Sequence, residues 1–263
     1  MQLVQLLRRL DNAIMPRCCA LCGTRCSDEE TTLCRGCHND LPFSRGPCQP
    51  HAPLTTTIAP LEYSFPIDAA IKALKFGRKL YYVPMFADLL VHAYSYLPPG
   101  IDALLPVPLH WWRHVTRGFN QSVEMCRPLQ RVTGLPMLRC VVRRRATAFQ
   151  SGLRATERRS NLRGAFRLQG ALEYRHIAIV DDVITTGETA SELARLLLAN
   201  GARTVSALAV ARASGIEGVV QHDADKHHHS DQVVAAERGE AAGRLAITRQ
   251  PLVPGHQPRC GSD

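Results

Sequence analysis

Residues 175–189 read Arg-His-Ile-Ala-Ile-Val-Asp-Asp-Val-Ile-Thr-Thr-Gly-Glu-Thr. The run from Ile177 to Val180 is continuously apolar and ends in two carboxylates, Asp181 and Asp182. A strand apolar on both faces belongs in a parallel sheet covered by helices, and its C-terminal end is where open α/β sheets meet their ligands. The period then changes: Ala190, Leu193, Ala194, Leu197 and Leu198 keep one apolar helical face until Asn200-Gly201 stops it. A second strand is predicted from Arg203 to Val210. Strand, turn, helix and strand make a βαβ unit, so the chain reads as an α/β protein with a parallel sheet flanked by helices.

The turn carries the chemistry. Thr185, Thr186, Gly187, Glu188 and Thr189 offer hydroxyls, a flexible glycine and free backbone N–H groups at the positive end of a helix, which suits a phosphate. Asp181 and Asp182 repel a phosphate but accept hydrogen bonds from two vicinal hydroxyls. A phosphorylated ribose meets both demands. An acidic turn followed by a threonine N-cap accounts for one carboxylate and leaves the rest of the string unexplained.

Outward from this unit, 263 residues with 45% hydrophobic and 21% charged are enough for one or two folded domains and exclude wholesale disorder. The formal charge of +9 is uneven: the first 212 residues carry +11 and residues 213–263 carry −2. Nine arginines and a single acid, Glu157, lie between Arg139 and Arg167. Guanidinium grips phosphate oxygens in a two-pronged fashion, so a polyphosphate or nucleic acid is one reading of the cluster and a solvated basic face the other. At the N-terminus, Leu3, Leu6, Leu7, Leu10 and Ile14 recur at helical spacing around Arg8, Arg9 and Asp11, an amphipathic helix and not a signal peptide. No apolar run approaches the roughly 18 residues a bilayer span needs, and the protein reads as cytoplasmic.

Six of the ten cysteines fall within positions 18–37. Cys19-Ala20-Leu21-Cys22 and Cys34-Arg35-Gly36-Cys37 are two C-x-x-C knuckles eleven residues apart, the spacing that completes a tetrahedral four-thiolate shell for Zn²⁺. Gly23 and Gly36 are expected at the tight turns. Such a site has no open coordination position, so its role is structural. Cys18 and Cys26 are extra sulfurs, and Cys48-Gln49-Pro50-His51 is a third pair with no fourth to complete a second site.

The string Ile179–Thr189 resembles the phosphoribosyl pyrophosphate motif of type I phosphoribosyltransferases. Other motifs follow the same order: the cysteine knuckles, Pro106-Val107-Pro108-Leu109, Arg117-Gly118-Phe119-Asn120-Gln121, Gln150, Arg158 and Asn161-Leu162-Arg163-Gly164-Ala165-Phe166. Together they resemble the ComF/GntX family of competence-associated phosphoribosyltransferase-like proteins over residues 1–212. The resemblance implies an N-terminal helix and zinc ribbon over 1–52, a type I phosphoribosyltransferase-like domain over 53–212 and, beyond it, a tail over 213–263 that reads as disordered. It implies that Asp181 and Asp182 hold the ribose hydroxyls, Thr185 to Thr189 the 5′-phosphate, and Arg117 the leaving pyrophosphate, with Mg²⁺ bridging. Arg143–Arg159 would be a closing loop. Purine-type relatives carry an acid where this chain has Thr185, so no base is evident. The family also implies a competence role with single-stranded DNA or a helicase as partner, in which the pocket is a sensor or relic.

Overall fold

A computed structural model describes residues 17–27, 30, 32–44, 51–144 and 164–213. The expected N-terminal helix, Cys48, the arginines from Arg145 to Arg163 and the tail beyond Ala213 lie outside the described residues. Along the chain come α1 (Arg35–Asn39), β1 (Thr56–Ile58), β2 (Leu61–Glu62), α2 (Ile67–Gly77) and, after a 3₁₀ turn at Leu80–Tyr82, α3 (Val83–Tyr94). Then follow β3 (Ala103–Pro106), α4 (Trp111–Arg117), α5 (Gln121–Thr133), β4 (Val141–Arg143), β5 (Phe166–Leu168), β6 (His176–Ile184), α6 (Glu188–Ala199) and β7 (Thr204–Arg212).

β6 and β7 form the centre of an all-parallel sheet, in register from His176 opposite Thr204 to Ile184 opposite Arg212. β3 lines the far side of β6, and β1 and β2 share the far side of β7. Pro136 to Leu138 extend the β3 edge by one step: the Leu104 N–H donates to Pro136 O at 2.9 Å and the Leu138 N–H to Leu104 O at 2.8 Å. Alternation along each strand sorts the side chains into two layers. Ala103, Leu105, Ile177, Ile179, Val205, Ala207 and Ala209 meet α6 on one face. Leu104, Ala178, Val180, Leu208 and Val210 meet α2, α3 and α5 on the other. The parallel sheet flanked by helices that the sequence predicts is therefore present.

Several strand ends differ from the sequence reading. β6 runs through both carboxylates to Ile184, because Val183 and Ile184 stay paired with Ala211 and Arg212 on β7. β7 runs on to Arg212, two residues past the predicted Val210, paired there with Ile184. β3 starts only at Ala103, since Asp102 turns its carboxylate onto the Arg175 and His176 N–H groups at 2.8 and 3.0 Å.

β4 and β5 form a separate antiparallel pair. The cysteine-rich segment packs on the sheet's helical layer: Leu41 is buried in the same cluster as Ile71 and Phe86, with Ala20, Leu21 and Leu33 against it. The Thr32 hydroxyl also donates to Asp88 at 2.9 Å. Among the described residues no helix is long and apolar enough to cross a membrane.

Candidate functional site

The two carboxylates leave β6 in opposite directions, as neighbours on a strand must. Asp182 points toward α2, where Lys75 Nζ lies 2.8 Å from its Oδ2. Lys75 is one helical turn beyond the buried Ile71, so the amphipathic face of α2 carries its ammonium to the sheet. α2 ends just after it in Arg78, a non-glycine residue at φ 53°, held there by donation from the Arg78 guanidinium to Thr116 O at 2.8 Å. Asp181 accepts from the Ser122 hydroxyl at 3.2 Å and from the Asp182 N–H at 2.9 Å. Burial and the adjacent Asp182 carboxylate push Asp181 up to about 7, against the opposing pull of Lys75. One carboxyl of the pair thus titrates near neutrality.

Ser122 is placed by the Arg-Gly-Phe-Asn-Gln segment. Arg117 is the last residue of α4, and Gly118 at φ 82° closes that helix in the left-handed conformation that glycine adopts without strain. Asn120 then caps α5: its side chain accepts from the Ser122 N–H at 3.0 Å and donates to Val107 O at 3.0 Å. The cap ties the end of β3 to the first turn of α5. Val107 itself donates its N–H to Val180 O on β6 at 2.9 Å. Phe119 packs, partly buried, on the core. Arg117 donates to Gln121 Oε1 at 3.2 Å and lies over the Phe76 ring at 5.3 Å. Burial and the neighbouring Arg113 lower its pKa, while the charge of Asp182 acts the other way.

The turn that follows β6 exposes Thr185 and Thr186 and buries Gly187. Gly187 stands at the N-cap of α6 with φ 69° and makes no side-chain cap hydrogen bond. A Cβ at Gly187 would lie 2.5 Å from His51 Cγ, so the imidazole rests directly on the glycine.

The knuckle cysteines form their own cluster. The sulfurs of Cys19, Cys22, Cys34 and Cys37 all lie within 4.8 Å of one another, with Cys22 and Cys34 at 3.7 Å. A tetrahedral zinc site with Zn–S near 2.3 Å requires sulfurs about 3.8 Å apart, so the donor set fits. Cys22 is held down to about 6, chiefly by hydrogen bonding to the Thr24 side chain, whereas burial and the neighbouring thiols push Cys37 up. A zinc ion at their centre would hold all four as thiolates. Gly23 turns at φ 76° as expected, but Gly36 lies within α1, whose N-cap Cys34 Sγ accepts from the Cys37 N–H at 3.5 Å. Cys18 and Cys26 stand outside the cluster, as does His51.

The chain is 38% identical over 212 residues to the DNA utilization protein YhgH of Escherichia coli O157:H7, covering 74% of this chain and 89% of that one. It is 40% identical over 116 residues to competence protein F of Haemophilus influenzae, covering 43% of this chain and 51% of that one. The chain belongs to the ComF/GntX family. No family model matches it. Among solved structures, orotate phosphoribosyltransferase from Aeropyrum pernix aligns over 52% of this chain and 75% of its own, at 16% identity and a TM-score of 0.33. The allosteric regulatory enzyme of purine biosynthesis aligns over 49% of this chain at 17% identity and a TM-score of 0.33, and the chain spans only 25% of it. Scores this low carry no argument, and the fold rests on the strand order above.

For this ComF/GntX member, sequence reasoning missed Lys75, Ser122 and His51. A lysine in register with Ile71 and Leu74 on an apolar helical face was the available signal for Lys75. Ser122 follows the quoted Asn-Gln directly and was legible as a first-turn hydroxyl. In the sequence His51 stands out only as half of an unmatched Cys/His pair.

Proposed function

We propose that the chain binds phosphoribosyl pyrophosphate and transfers its phosphoribose to a nitrogen acceptor. The observation that carries this is the Asp181–Asp182 pair on β6, followed directly by the Gly187 turn at the start of α6. Asp181 and Asp182 take the ribose hydroxyls, and Thr185, Thr186, Gly187, Glu188 and Thr189 surround the 5′-phosphate with hydroxyls and N–H groups. Arg117 neutralises charge that develops on the departing pyrophosphate. The two carboxylates are hard oxygen donors that suit Mg²⁺ completed by substrate oxygens, and the ion when bound stabilises the leaving group. Asp181, near 7, is the group on this edge able to hold or release a proton at neutral pH. Cys19, Cys22, Cys34 and Cys37 hold a structural Zn²⁺, a thiol-rich arrangement that suits the reducing cytoplasm.

Relatives bearing the names DNA utilization protein YhgH and competence protein F support a role in DNA utilisation or competence. A second reading, a DNA-uptake factor that binds single-stranded DNA, is favoured by Trp111 and Trp112 on α4, 62% and 57% exposed beside Arg113. Bases stack on such rings, and the adjacent cations meet the phosphates. Pyrophosphate release from the donor across a panel of bases and nucleotides tests the first reading; release with one acceptor supports transfer, and none with any acceptor refutes it. Single-stranded DNA binding that weakens steeply with salt and is lost in W111A/W112A supports the second.

A further inference from the structure

Lys75 is fixed in the site by the helix that carries it. Ile67, Ile71 and Leu74 of α2 are fully buried in the core, so this face of the helix stays turned inward. The end of the helix is held as well, by the Arg78 guanidinium on Thr116 O and by the Lys79 N–H, which donates to Ala73 O at 3.2 Å. The acid of α2, Asp68, has a lysine of its own in Lys72 at 2.7 Å and does not compete for Lys75. Lys75 instead meets Asp182 at 2.8 Å, on a carboxylate that is 4% exposed. Asp182 Oδ2 is closed off from solvent and makes no hydrogen bond among the described residues, so the ammonium charge is what compensates it. Asp181, for its part, turns Oδ1 to the Ser122 hydroxyl and the Asp182 N–H.

A divalent ion that takes both carboxylates must therefore displace an ammonium from a nearly dry ion pair. Mg²⁺ gives up its water reluctantly and is usually held by one or two carboxylates together with substrate phosphates, so the exchange is unfavourable without a phosphorylated ligand. We propose that Lys75 is the resident cation of the acid pair, a positioning residue whose ammonium fills the place beside Asp182 that a divalent ion would take and keeps the free chain from binding one there. One consequence rests on the phosphoribosyl reading above: Mg²⁺ arrives on the pyrophosphate oxygens of the donor and not ahead of it. The other needs no donor: removing the ammonium uncovers a latent divalent-cation site.

The experiment is titration of the full, zinc-loaded chain with Mn²⁺ alone, an ion that carboxylates accept as they do Mg²⁺, read by electron paramagnetic resonance. D181N/D182N is the blank for Mn²⁺ held elsewhere, and the wild type should match it. K75M should gain a site at least about tenfold tighter than any in the wild type. That site should vanish in K75M/D181N/D182N, and K75R should behave as wild type. Loss of packing does not create a carboxylate-dependent site, so the gain separates this role from a merely structural one. A wild-type site that D181N/D182N loses, or a folded K75M that binds no tighter than wild type, overturns the assignment. A second measurement needs only the wild type: acetylation by acetic anhydride, read by peptide mass. Lys75, 20% exposed, should be labelled more slowly than Lys72, 57% exposed, and Mn²⁺ should leave its rate unchanged. Equal labelling of the two, or faster labelling of Lys75 once Mn²⁺ is added, overturns the assignment. Neither measurement contains the donor, so a chain that meets both and yet fails to bind phosphoribosyl pyrophosphate with Mg²⁺ refutes the phosphoribosyl reading and leaves the role of Lys75 intact.

Discussion

Replacing Lys75 by Met removes one partner of an ion pair closed at 2.8 Å, whose side chains are 20% and 4% exposed for Lys75 and Asp182. Removing one member of a fully buried pair costs about 3–5 kcal/mol, because the remaining charge is left without compensation. The partial exposure of Lys75 lets some water relax around Asp182, which brings the expectation for K75M to about 2–4 kcal/mol. D182N leaves a lysine that can turn toward solvent and should cost less. The double variant carries no stranded charge, so the cycle should show a coupling of about 1–3 kcal/mol. Urea unfolding at pH 8 reads this as a midpoint lowered by about 1–2 M for K75M and partly restored in the double variant. Lys75 also holds Asp181 down, so K75M should move the Asp181 carboxyl band, followed by infrared titration, to a pH above 7. A K75M midpoint within about 0.3 M of wild type, or strictly additive singles, would refute the idea that this lysine organises the carboxylate pair.

D181N should stabilise the protein at pH 8 by about 1–3 kcal/mol. The folded pKa lies above the unfolded value, so wild-type stability from this group is full below about 4 and lost as pH rises through 7; the gap between variant and wild type, followed by thermal melts, must grow over that window and then level off. Asn120→Ala removes the α5 cap and the bond to Val107, and should cost about 1–2 kcal/mol while weakening donor binding in calorimetry through loss of Ser122 placement. Elemental analysis should find about one zinc per chain, absent in C34S/C37S, and chelation should lower the melting temperature; a metal-free, equally stable chain would contradict the four-thiolate site.

The β6–turn–α6 unit was legible because local sequence specified it at every level: an apolar run, two acids, a glycine, then a helical period. The cysteine knuckles were legible for the same reason, since two ligands three residues apart can meet without help from the rest of the fold. Lys75 was not, because its partner lies 107 positions away and only the packing of α2 on the sheet brings the two together. His51 was obscured by Cys48, which made it look like a metal ligand, whereas the buried Leu54 draws it to Gly187. The ends of β6 were set by register with β7, a tertiary constraint that overrides the expectation that a strand stops at its first charge. Gly36 was expected in a turn and lies in α1, because the Cys34 sulfur caps a helical turn there.

The most direct test is calorimetry of the full chain with phosphoribosyl pyrophosphate and Mg²⁺, comparing wild type with the Asp181→Asn plus Asp182→Asn variant. Saturable binding by the wild type that the double variant loses is the predicted result. No binding by the wild type, or equal binding by both, would contradict the claim that this sheet edge is a phosphoribosyl site.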